Sequence, residues 1–385
     1  METKELNRGA ILIMALFFLQ PMAIGSWLAL IPYVKETIGL SKSELAIALL
    51  GAPVALLITL QFASKAVGTF GVRKLFLVAF PLQFLTSLLP ITVGSMTMLF
   101  FALAAFGIAI AFMEIALNVY AGRVEKSSDR LIMNRCHGFW ALGLMTGSIV
   151  ATSGSQVISP LGIMAIISVA SATLGVGAAF TLPKVGEAEE KRDLPRRKLS
   201  QLPSALLAIG SFMFLVTLTE GAMADWAAVY LSERLNSNLL EAGIAVTIFS
   251  GFMAAGRFSG DFLKLRFGAL ILARGSVSLA AVGLLFLVLP LPLAFAYIGF
   301  AFVGLGVAAG YPLGVSAVSA LDDTYEAGNV AIMATCALAG FLVGPPLIGF
   351  LADAFSLRVS FAVLIPGLVL CLILAKRLRT QNPGN

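Results

Sequence analysis

Charged residues are scarce in this sequence. Asp, Glu, Lys and Arg make up 12% of the 385 residues, against about 25% in an ordinary soluble domain. Apolar residues account for 59%, and the mean hydropathy is +0.97. Too few polar side chains remain to cover a soluble surface, so a cytosolic enzyme, a coiled coil and a disordered chain are all excluded. The composition predicts a protein that lies in a lipid bilayer.

Residues that carry catalysis or bind metals are also few. The chain has one histidine, and its three cysteines, Cys136, Cys336 and Cys371, stand far apart in apolar stretches. Their spacing is typical of neither a disulfide framework nor a metal site. The sequence also lacks a glycine loop ending in Lys-Ser/Thr, a His-Glu-x-x-His and a Gly-x-Ser-x-Gly motif, which argues against an ATPase, a zinc protease and a serine hydrolase. We therefore expect no enzyme, no metal and no cofactor.

Hydrophobic runs recur along the whole chain. Twelve of them approach the ~20 residues that a helix needs to cross a bilayer, so the sequence predicts an all-α membrane protein with twelve transmembrane helices. The predicted spans are 9–34, 44–64, 75–93, 98–121, 135–158, 160–181, 204–231, 241–264, 268–290, 293–318, 329–352 and 356–375. The polar stretch 184–198 separates the sixth span from the seventh. It predicts two bundles, 1–183 and 204–385, joined by a cytoplasmic linker over 184–203.

The positive charges indicate how these spans are oriented. If the N-terminus is cytoplasmic, only four of the 26 Lys and Arg residues fall in outer loops, namely Lys35, Lys42, Arg234 and Arg358. The other 22 fall in or beside inner loops and the two termini. Because basic residues favour the cytoplasmic side, this split predicts both termini in the cytoplasm, an even number of spans and a cytoplasmic (inner) membrane location.

The two predicted bundles repeat one another. Glycines of the first half recur 197 residues later, and one tryptophan recurs 199 residues later. The pairs are Gly71 and Gly268, Gly107 and Gly304, Gly143 and Gly340, Gly147 and Gly344, and Trp27 and Trp226. Two similar bundles in parallel can rock against each other around a site near the middle of the membrane, which is alternating access.

The loop after the eighth span carries a resemblance to a known family. Its sequence Gly256-Arg257-Phe258-Ser259-Gly260-Asp261, followed by Arg266, is similar to the Gly-x-x-x-Asp-Arg-x-Gly-Arg-Arg motif of the major facilitator superfamily. The first copy keeps Gly71, Arg73 and Lys74 but has Ser64 where the second has Asp261. The resemblance implies two six-helix bundles and an inner gate in which the second half supplies the acid. The gating residues that it implies are Arg73, Lys74, Arg257, Asp261 and Arg266. We expect Arg257 and Asp261 to pair with each other, because residues four apart share a helix face.

Two short segments resemble one branch of that superfamily. The stretch from Glu220 to Trp226, Glu-Gly-Ala-Met-Ala-Asp-Trp, looks like bacterial inner-membrane permeases related to fucose permease. Glu114-x-x-x-Asn118 in the fourth span is similar to the Glu–Asn pattern of fucose permease itself. The resemblance implies that Glu114 couples transport to protons, with Asn118 one turn away on the same helix face. A hydrogen bond between helices is the alternative role for this pair.

Carboxylates inside predicted spans are costly in a bilayer and therefore predict a function. Glu114, Glu220 and Asp225 have no Lys or Arg at comparable depth in the sequence. The alternative is that Arg257 or Arg274 reaches further into the membrane and pairs with one of them. A carboxylate without a basic partner takes up a proton readily in a low-dielectric cavity, so all three are candidates for proton coupling. An outer-gate hydrogen bond is the alternative for Asp225. His137 titrates near neutral pH and is either a further proton site or a hydrogen-bonded residue at the inner gate.

Other polar and aromatic residues are candidates for binding a solute. The resemblance implies that the first, fourth, seventh and tenth spans line the cavity, and the repeat places Tyr311 opposite Glu114. The polar candidates near the middle of the membrane are Gln20, Asn118, Glu220 and Tyr311, and the aromatic wall candidates are Trp27, Trp140 and Trp226. Trp27 and Trp226 are alternatively residues of the interfacial aromatic belts.

Together these features predict a proton-coupled symporter that imports a small polar solute, such as a sugar or polyol, by alternating access. The alternative is a proton-coupled antiporter that exports drugs or hydrophobic metabolites. A receptor that does not transport is a third possibility, and the lack of any soluble signalling domain argues against it. We expect the partners to be the solute, the proton and the lipid bilayer, with no nucleic acid, and we expect a monomer.

Overall fold

The computed structural model describes residues 3–128, 130–186, 202–235, 239–321 and 326–378. Every regular element within these ranges is a helix, which confirms the predicted all-α class. Most of the linker predicted over 184–203 lies outside the described residues.

The first half contains six spans. They are Thr3–Ile38, Lys42–Leu49 with Gly51–Phe70, Val72–Thr92, Met96–Ser128, Met133–Gly154 and Pro160–Thr181. Leu50 keeps helical dihedrals, so the helices on either side of it form one continuous second span. The first span extends beyond the predicted 9–34 at both ends.

The second half repeats this order. Its helices are Ser204–Leu235, Leu239–Val288, Leu293–Ala308 with Gly310–Ser319, Glu326–Ala354, and Leu357–Ala362 with Leu364–Leu374, which a 3₁₀ turn Ala375–Leu378 follows. The long helix Leu239–Val288 is interrupted at Gly268, where φ is 78° and ψ is 161°. This residue separates the eighth span from the ninth, as predicted.

The number of membrane-crossing helices agrees with twelve. Ten helices of the described chain are long and apolar enough to cross a bilayer. One of them, Ala242–Val288, has 47 residues; at 1.5 Å per residue it is about 70 Å long, more than twice the hydrocarbon thickness, and it therefore makes two crossings. The fifth span, Met133–Gly154, is not among the ten. It has the length of a span, but Asn134, Arg135 and His137 lower its hydropathy.

The sequence repeat is visible in the backbone. Gly71 ends the second span with φ 77° and ψ 155°, nearly the same dihedrals as Gly268. Glycine adopts these left-handed dihedrals more readily than other residues because it has no Cβ atom. A Cβ added at Gly107 would lie 2.3 Å from the carbonyl oxygen of Ala52, and one added at Gly304 would lie 2.3 Å from that of Phe249. Both pairs are related by 197 residues, so the second and fourth spans contact each other just as the eighth and tenth do.

The first and seventh spans are related by a slightly different offset. The glycines of the fifth span approach carbonyl groups of the first span, and those of the eleventh span approach carbonyl groups of the seventh. Equivalent carbonyl groups in the two halves lie 196 residues apart. The contacts join Gly143 to Phe18, Gly147 to Met22, Gly340 to Phe214 and Gly344 to Leu218. Trp226 therefore corresponds to Leu30, one helical turn from Trp27. The predicted equivalence of the two tryptophans is wrong, because no loop lies within either helix to absorb three residues.

The outer surface of the bundle is apolar. Phe62, Phe101 and Phe180 are 64%, 66% and 61% exposed. Such large exposed aromatic side chains suit a surface whose solvent is lipid rather than water.

Candidate functional site

The fifth and eighth spans form a seam between the two halves. At the end of the bundle where the first span begins, here called the termini side, the Asn134 amide donates a hydrogen bond to the Asp261 carboxylate. One turn further in, the rings of Phe139 and Phe258 meet edge to face with centroids 5.4 Å apart. Asp261 therefore contacts the opposite half. The predicted pairing of Asp261 with Arg257 on one helix face is wrong, because each side chain has a partner on another helix.

The opposite end of the bundle, here called the far side, also joins the two halves. Lys42 forms an ion pair with Glu233 at 3.2 Å, and the Ser43 hydroxyl donates to Asp353 at 2.7 Å. On the seam itself, the Ser148 hydroxyl donates to the Gly243 carbonyl at 3.0 Å. These contacts come from the second, fifth, seventh, eighth and eleventh spans.

An ion pair lies within the membrane-spanning part of the second half. The guanidinium Nη2 of Arg257 is 3.0 Å from Oε1 of Glu220, and each side chain is only 10% exposed. The expectation that Glu220 has no basic partner is therefore wrong, and the alternative that Arg257 reaches further into the membrane is confirmed. A long arginine side chain can carry its charge several ångströms from its backbone, so Arg257 reaches Glu220 on the seventh span even though its own position lies near the end of the eighth.

Arg257 also contacts the first half. Its Nη1 donates to the carbonyl oxygen of His137 at 3.2 Å, and its guanidinium carbon lies 5.8 Å from the centre of the Trp140 ring. Both partners belong to the fifth span. One cation thus joins a buried carboxylate of its own half to a carbonyl and an aromatic face of the other half. Arg257 belongs to the central site as well as to the gate implied by the resemblance.

Trp140 is held by a buried glutamine. Its indole Nε1 donates to Oε1 of Gln20 at 3.1 Å, and Gln20 is 0% exposed. Gln83 on the third span donates from Nε2 to the Gln20 carbonyl at 2.7 Å. The expectation that Gln20 offers its amide to a solute is wrong in this structure, because the amide is enclosed in the first half. Gln20 orients Trp140 instead.

Glu114 and Asn118 lie together on the fourth span, as predicted. The Asn118 Nδ2 donates to the Glu114 backbone carbonyl at 2.9 Å and to its carboxylate Oε2 at 3.3 Å. Both residues are half-buried. Trp140 and Arg257 lie within interaction range of the Glu114 carboxyl group. The alternative role for this pair, a hydrogen bond between helices, stays a prediction.

His137 and Tyr311 meet across the halves. The imidazole is packed edge-on against Phe17, with centroids 5.3 Å apart, and lies 6.4 Å from the Tyr311 ring. Tyr311 is 38% exposed. Its approach to Glu114 across the centre stays a prediction. Glu114, Asn118, His137, Trp140, Glu220, Arg257 and Tyr311 form the central site.

A family model described as Major Facilitator Superfamily matches residues 13–331. The chain belongs to the Major Facilitator Superfamily. An uncharacterized MFS-type transporter of Yersinia pestis is 28% identical over 351 residues, which cover 90% of this chain and 89% of that protein. Membrane protein MosC of Rhizobium meliloti is 27% identical over 362 residues, which cover 92% and 87%. This chain is therefore a multi-pass secondary transporter.

Solved structures agree with this fold. A mutant of the nucleoside transporter NupG superposes with a TM-score of 0.77 at 12% identity, covering 96% of this chain and 99% of that one. A bacterial homologue of the human lysosomal transporter Spinster, inward-facing and unoccupied, superposes with a TM-score of 0.69 at 12% identity and covers 100% of both chains. At these identities the likeness concerns the fold alone. The branch related to fucose permease stays a prediction.

The remaining gate candidates, Arg73, Lys74 and Arg266, do not belong to the central site. Arg73 donates to the carbonyl groups of Ala179 at 3.1 Å and Leu182 at 3.2 Å, and to that of Phe180. It therefore caps the end of the sixth span, where carbonyl groups lack helical partners and a positive charge is favourable, and it does not bridge the halves. Lys74 is exposed. Arg266 is exposed and stacks on Phe267 at 5.6 Å, and the Ser64 side chain lies outside what the structure describes.

The other two tryptophans of the transporter are packing residues. Trp27 is 4% exposed and Trp226 is 0% exposed, and the Trp226 indole donates to the Pro345 carbonyl at 3.1 Å. Both expected roles, as cavity walls and as interfacial belt residues, are wrong in this structure, because the indoles are enclosed by protein. Asp225 is half-buried, and its side chain makes no hydrogen bond to another described residue. The outer-gate hydrogen bond stays a prediction.

Two residues that contact the predicted site residues, Gln83 and Asn134, escaped sequence reasoning, and Arg257 was expected at the gate rather than at the central site. Gln83 interrupts an apolar span, which is a signal for a buried polar contact and could have been noticed. Asn134 gives no signal, because an asparagine at the start of a span is equally typical of a cap. The depth of Arg257 depends on the direction of its side chain, which a hydropathy profile does not contain.

Proposed function

We propose that this secondary transporter is a proton-coupled symporter of a small hydroxylated solute, such as a sugar or polyol. The observation that carries the proposal is the different state of the two central acids. Glu220 has the guanidinium of Arg257 at 3.0 Å. The Glu114 carboxylate accepts a hydrogen bond from the neutral Asn118 amide at 3.3 Å. A carboxylate whose direct partner is neutral can lose and regain a proton without breaking an ion pair.

The solute would lie beside Glu114. Asn118 offers an amide, Tyr311 offers a partly exposed hydroxyl group, and the half-buried Trp140 offers the edge of an indole for the apolar face of a sugar ring. Each neutral hydrogen bond to the solute would contribute about 0.5–1.5 kcal/mol, and one to a charged group about 1.5–3 kcal/mol. Protonation of Glu114 changes it from an acceptor into a donor, so the proton and the solute are bound by one group of side chains.

The membrane orientation is part of the proposal. The 22 to 4 distribution of basic residues supports a cytoplasmic termini side and an inner-membrane location. Uptake then begins with the far side open and ends with the separation of Asn134 from Asp261. We further propose that one chain is the transporting unit, because the site lies between the two halves of a single chain.

Export of hydrophobic compounds is the second candidate function. Phe17, Phe139 and Phe258 surround the termini-side part of the site, and Phe258 is 40% exposed. Such a wall suits an apolar solute that enters from the cytoplasm. In that case the same Glu114 proton would move inward while the solute moves outward.

The test measures solute and proton together. The purified full-length protein is reconstituted into liposomes that contain a pH-sensitive dye, and labelled sugars and polyols are added outside. Symport predicts that a transported solute accumulates under an inward proton gradient and acidifies the lumen. Glu114→Gln should still exchange labelled for unlabelled solute but should not accumulate it. Asp225→Asn tests the third intramembrane acid in the same way, and accumulation that survives in it but not in Glu114→Gln assigns the coupling to Glu114.

Two results would contradict the symport proposal. Unchanged, pH-dependent accumulation by Glu114→Gln would remove Glu114 from the coupling. Efflux of a preloaded hydrophobic dye driven by an inward proton gradient, without uptake of any sugar or polyol, would replace import by export.

A further inference from the structure

A second cavity lies on the termini side of the first half, between the start of the first span and the start of the fifth. Its volume is about 410 Å³, within the range of roughly 300–1,000 Å³ that is usual for small-molecule sites. It shares no lining residue with the central site, and the proposed transport does not use it. Its polar lining residues are Asn7, Ser128, Arg130 and Arg135, and its apolar ones include Met14 and Leu131. It is here called the arginine cavity.

Two arginine side chains give this cavity its charge. Nη1 of Arg130 donates to Oδ1 of Asn7 at 3.0 Å. A guanidinium has five donors, so this contact orients Arg130 against the first span and engages one of them. Arg135 is exposed. Because the planar fork of a guanidinium can donate two parallel hydrogen bonds to a phosphate, the two arginines favour a ligand that carries a phosphate group.

The surroundings of the arginine cavity keep it positive. Segment 123–135 supplies five of its nine lining residues and carries four basic and two acidic residues. One of these acids, Glu125, accepts hydrogen bonds from two backbone N–H groups at the start of the fifth span, at 2.7 and 2.9 Å, and so satisfies donors that lack helical partners. The other, Asp129, lies outside the described residues. Residues 4–8 of the first span add two basic residues and one acidic residue.

The arginine cavity also borders the lipid-facing surface. Arg135 precedes Ile149 by 14 residues on the fifth span, which is close to four turns of 3.6 residues, so both lie on nearly the same face. Ile149 is 40% exposed within the membrane-spanning part, and an exposed apolar side chain there contacts lipid. At the cavity itself Leu131 is 77% exposed, and Ile11 beside it on the first span is 69% exposed. Two cations thus stand next to an apolar surface.

We propose that the arginine cavity binds the headgroup of an anionic phospholipid. Arg130 and Arg135 hold the phosphate, and an acyl chain lies against the apolar residues, among them Met14 and Leu131. In the proposed orientation the termini side is cytoplasmic, and the cytoplasmic leaflet carries the anionic lipids that bind in basic pockets between transmembrane helices. The lipid contacts both the first span and the start of the fifth. This inference goes beyond the proposed function and does not depend on its solute or its proton.

The linker is the other candidate occupant. Its sequence places Glu187, Glu189 and Glu190 directly after Gly186, and a Cβ added at Gly186 would lie 3.8 Å from Cγ of Arg123. The acidic run therefore begins on the same side of the first half. The exposed apolar part of the arginine cavity favours the lipid, because acyl chains match that surface and carboxylates do not.

The experiment measures lipid binding to the purified full-length protein in detergent. Phosphatidylglycerol or phosphatidylcholine with the same acyl chains is titrated, and the first bound lipid is detected by mass spectrometry of the intact complex. Inorganic phosphate is added as a competitor to separate a free anion from a lipid. The test variant is Arg130→Gln with Arg135→Gln. The matched control is Lys74→Gln with Arg266→Gln, which removes two exposed positive charges that do not line the cavity.

The unsubstituted protein should bind phosphatidylglycerol more tightly than phosphatidylcholine. The test variant should bind phosphatidylglycerol about tenfold more weakly or worse, because one hydrogen bond to a charged group is worth that factor. The control variant should keep the affinity of the unsubstituted protein. If the test variant is poorly folded, Arg130→Gln and Arg135→Gln are measured singly, and each should weaken the binding of phosphatidylglycerol while leaving that of phosphatidylcholine unchanged.

Three results would overturn the inference. Equal affinity for phosphatidylglycerol in the test and control variants would show that the arginine cavity does not hold the headgroup. Displacement of the lipid by inorganic phosphate would assign the cavity to a free anion. Binding of phosphatidylglycerol that appears only after Glu187→Gln, Glu189→Gln and Glu190→Gln are combined would assign the cavity to the linker.

Discussion

The two halves of this transporter share their packing and differ in their chemistry. Gly71 and Gly268 adopt nearly the same left-handed dihedrals, and Gly107 and Gly304 approach equivalent carbonyl groups at the same distance. The glycines preserve close contacts between helices, which membrane proteins need because lipid offers no hydrophobic driving force between them. The repeated residues therefore belong to the packing between helices, which is here called the frame.

The two halves carry different side chains at the positions of the central site. Tyr311 stands at the position that corresponds to Glu114, and Ile24 stands at the position that corresponds to Glu220. Each half thus contributes one central acid from a different helix, and only the acid of the second half has an arginine at 3.0 Å. Two identical halves would hold identical acids. The difference allows one carboxylate to titrate while the other stays paired, and the predictions below test this division.

Removal of the arginine should have the largest effect. Arg257→Gln leaves Glu220 buried without its partner, and breaking a buried ion pair in this way costs about 3–5 kcal/mol of stability. We expect a marked loss of thermal stability of the purified protein, measured by the temperature at which it aggregates in detergent. The double variant Arg257→Gln with Glu220→Gln should recover most of the loss. An unchanged transition temperature in Arg257→Gln alone would show that the pair is not formed.

The gate should be asymmetric between the halves. Asp261→Asn weakens a hydrogen bond between the halves that involves a charged group, and such bonds are worth about 1.5–3 kcal/mol. A cysteine placed at Ser316, which lines the cavity beside Asn134 and Asp261, should then react with a maleimide about tenfold faster or more once the native cysteines are replaced. Ser64→Ala at the corresponding position of the first half is the control. Equal rates in the two variants would contradict an acid gate in the second half alone.

The frame should respond equally in both halves. Gly107→Ala and Gly304→Ala each place a methyl group 2.3 Å from a carbonyl oxygen, and such overpacking typically costs about 1–3 kcal/mol. The two variants should lose similar amounts of thermal stability in detergent. Gly177→Ala and Gly275→Ala are matched controls, because a methyl group at either position meets nothing within 4 Å. A large loss in one half only would mean that the halves pack differently.

Hydropathy and glycine spacing predicted the frame because both depend on residue type along the chain. The spans, the break at Gly268 and the repeat followed from these patterns. The central site was predicted only in part. Glu114 and Asn118 lie side by side on the fourth span, as their spacing of four residues predicted.

The errors concern side-chain direction and contacts between distant helices. Arg257 turns inward to Glu220, 37 residues away along the chain, and Gln20 turns to Trp140, 120 residues away. Neither contact follows from local spacing. The predicted equivalence of Trp27 and Trp226 was wrong for another reason. A match of two rare residues suggested it, and the packing of the helices contradicts it.

The smallest predicted effect separates a solute contact from its support. Asn118 is half-buried beside Glu114, so Asn118→Ala should remove one hydrogen bond to the solute and weaken its binding by up to about tenfold, at about 0.5–1.5 kcal/mol per neutral bond. Gln20 is enclosed and holds the Trp140 indole at 3.1 Å, so Gln20→Ala should act only through that ring.

The two effects differ in the measurement that detects them. With Trp27→Phe and Trp226→Phe, Trp140 remains as the one tryptophan of the chain and its emission reports the indole environment. Gln20→Ala should shift this emission even without solute, because the indole N–H loses its acceptor, whereas Asn118→Ala should leave it unchanged. Titration calorimetry with a solute identified by the liposome assay should show the reverse order, with the larger loss of affinity in Asn118→Ala. If Gln20→Ala weakened binding more and left the emission unchanged, Gln20 would contact the solute directly, and the arrangement of the first half around Trp140 would differ from the one described.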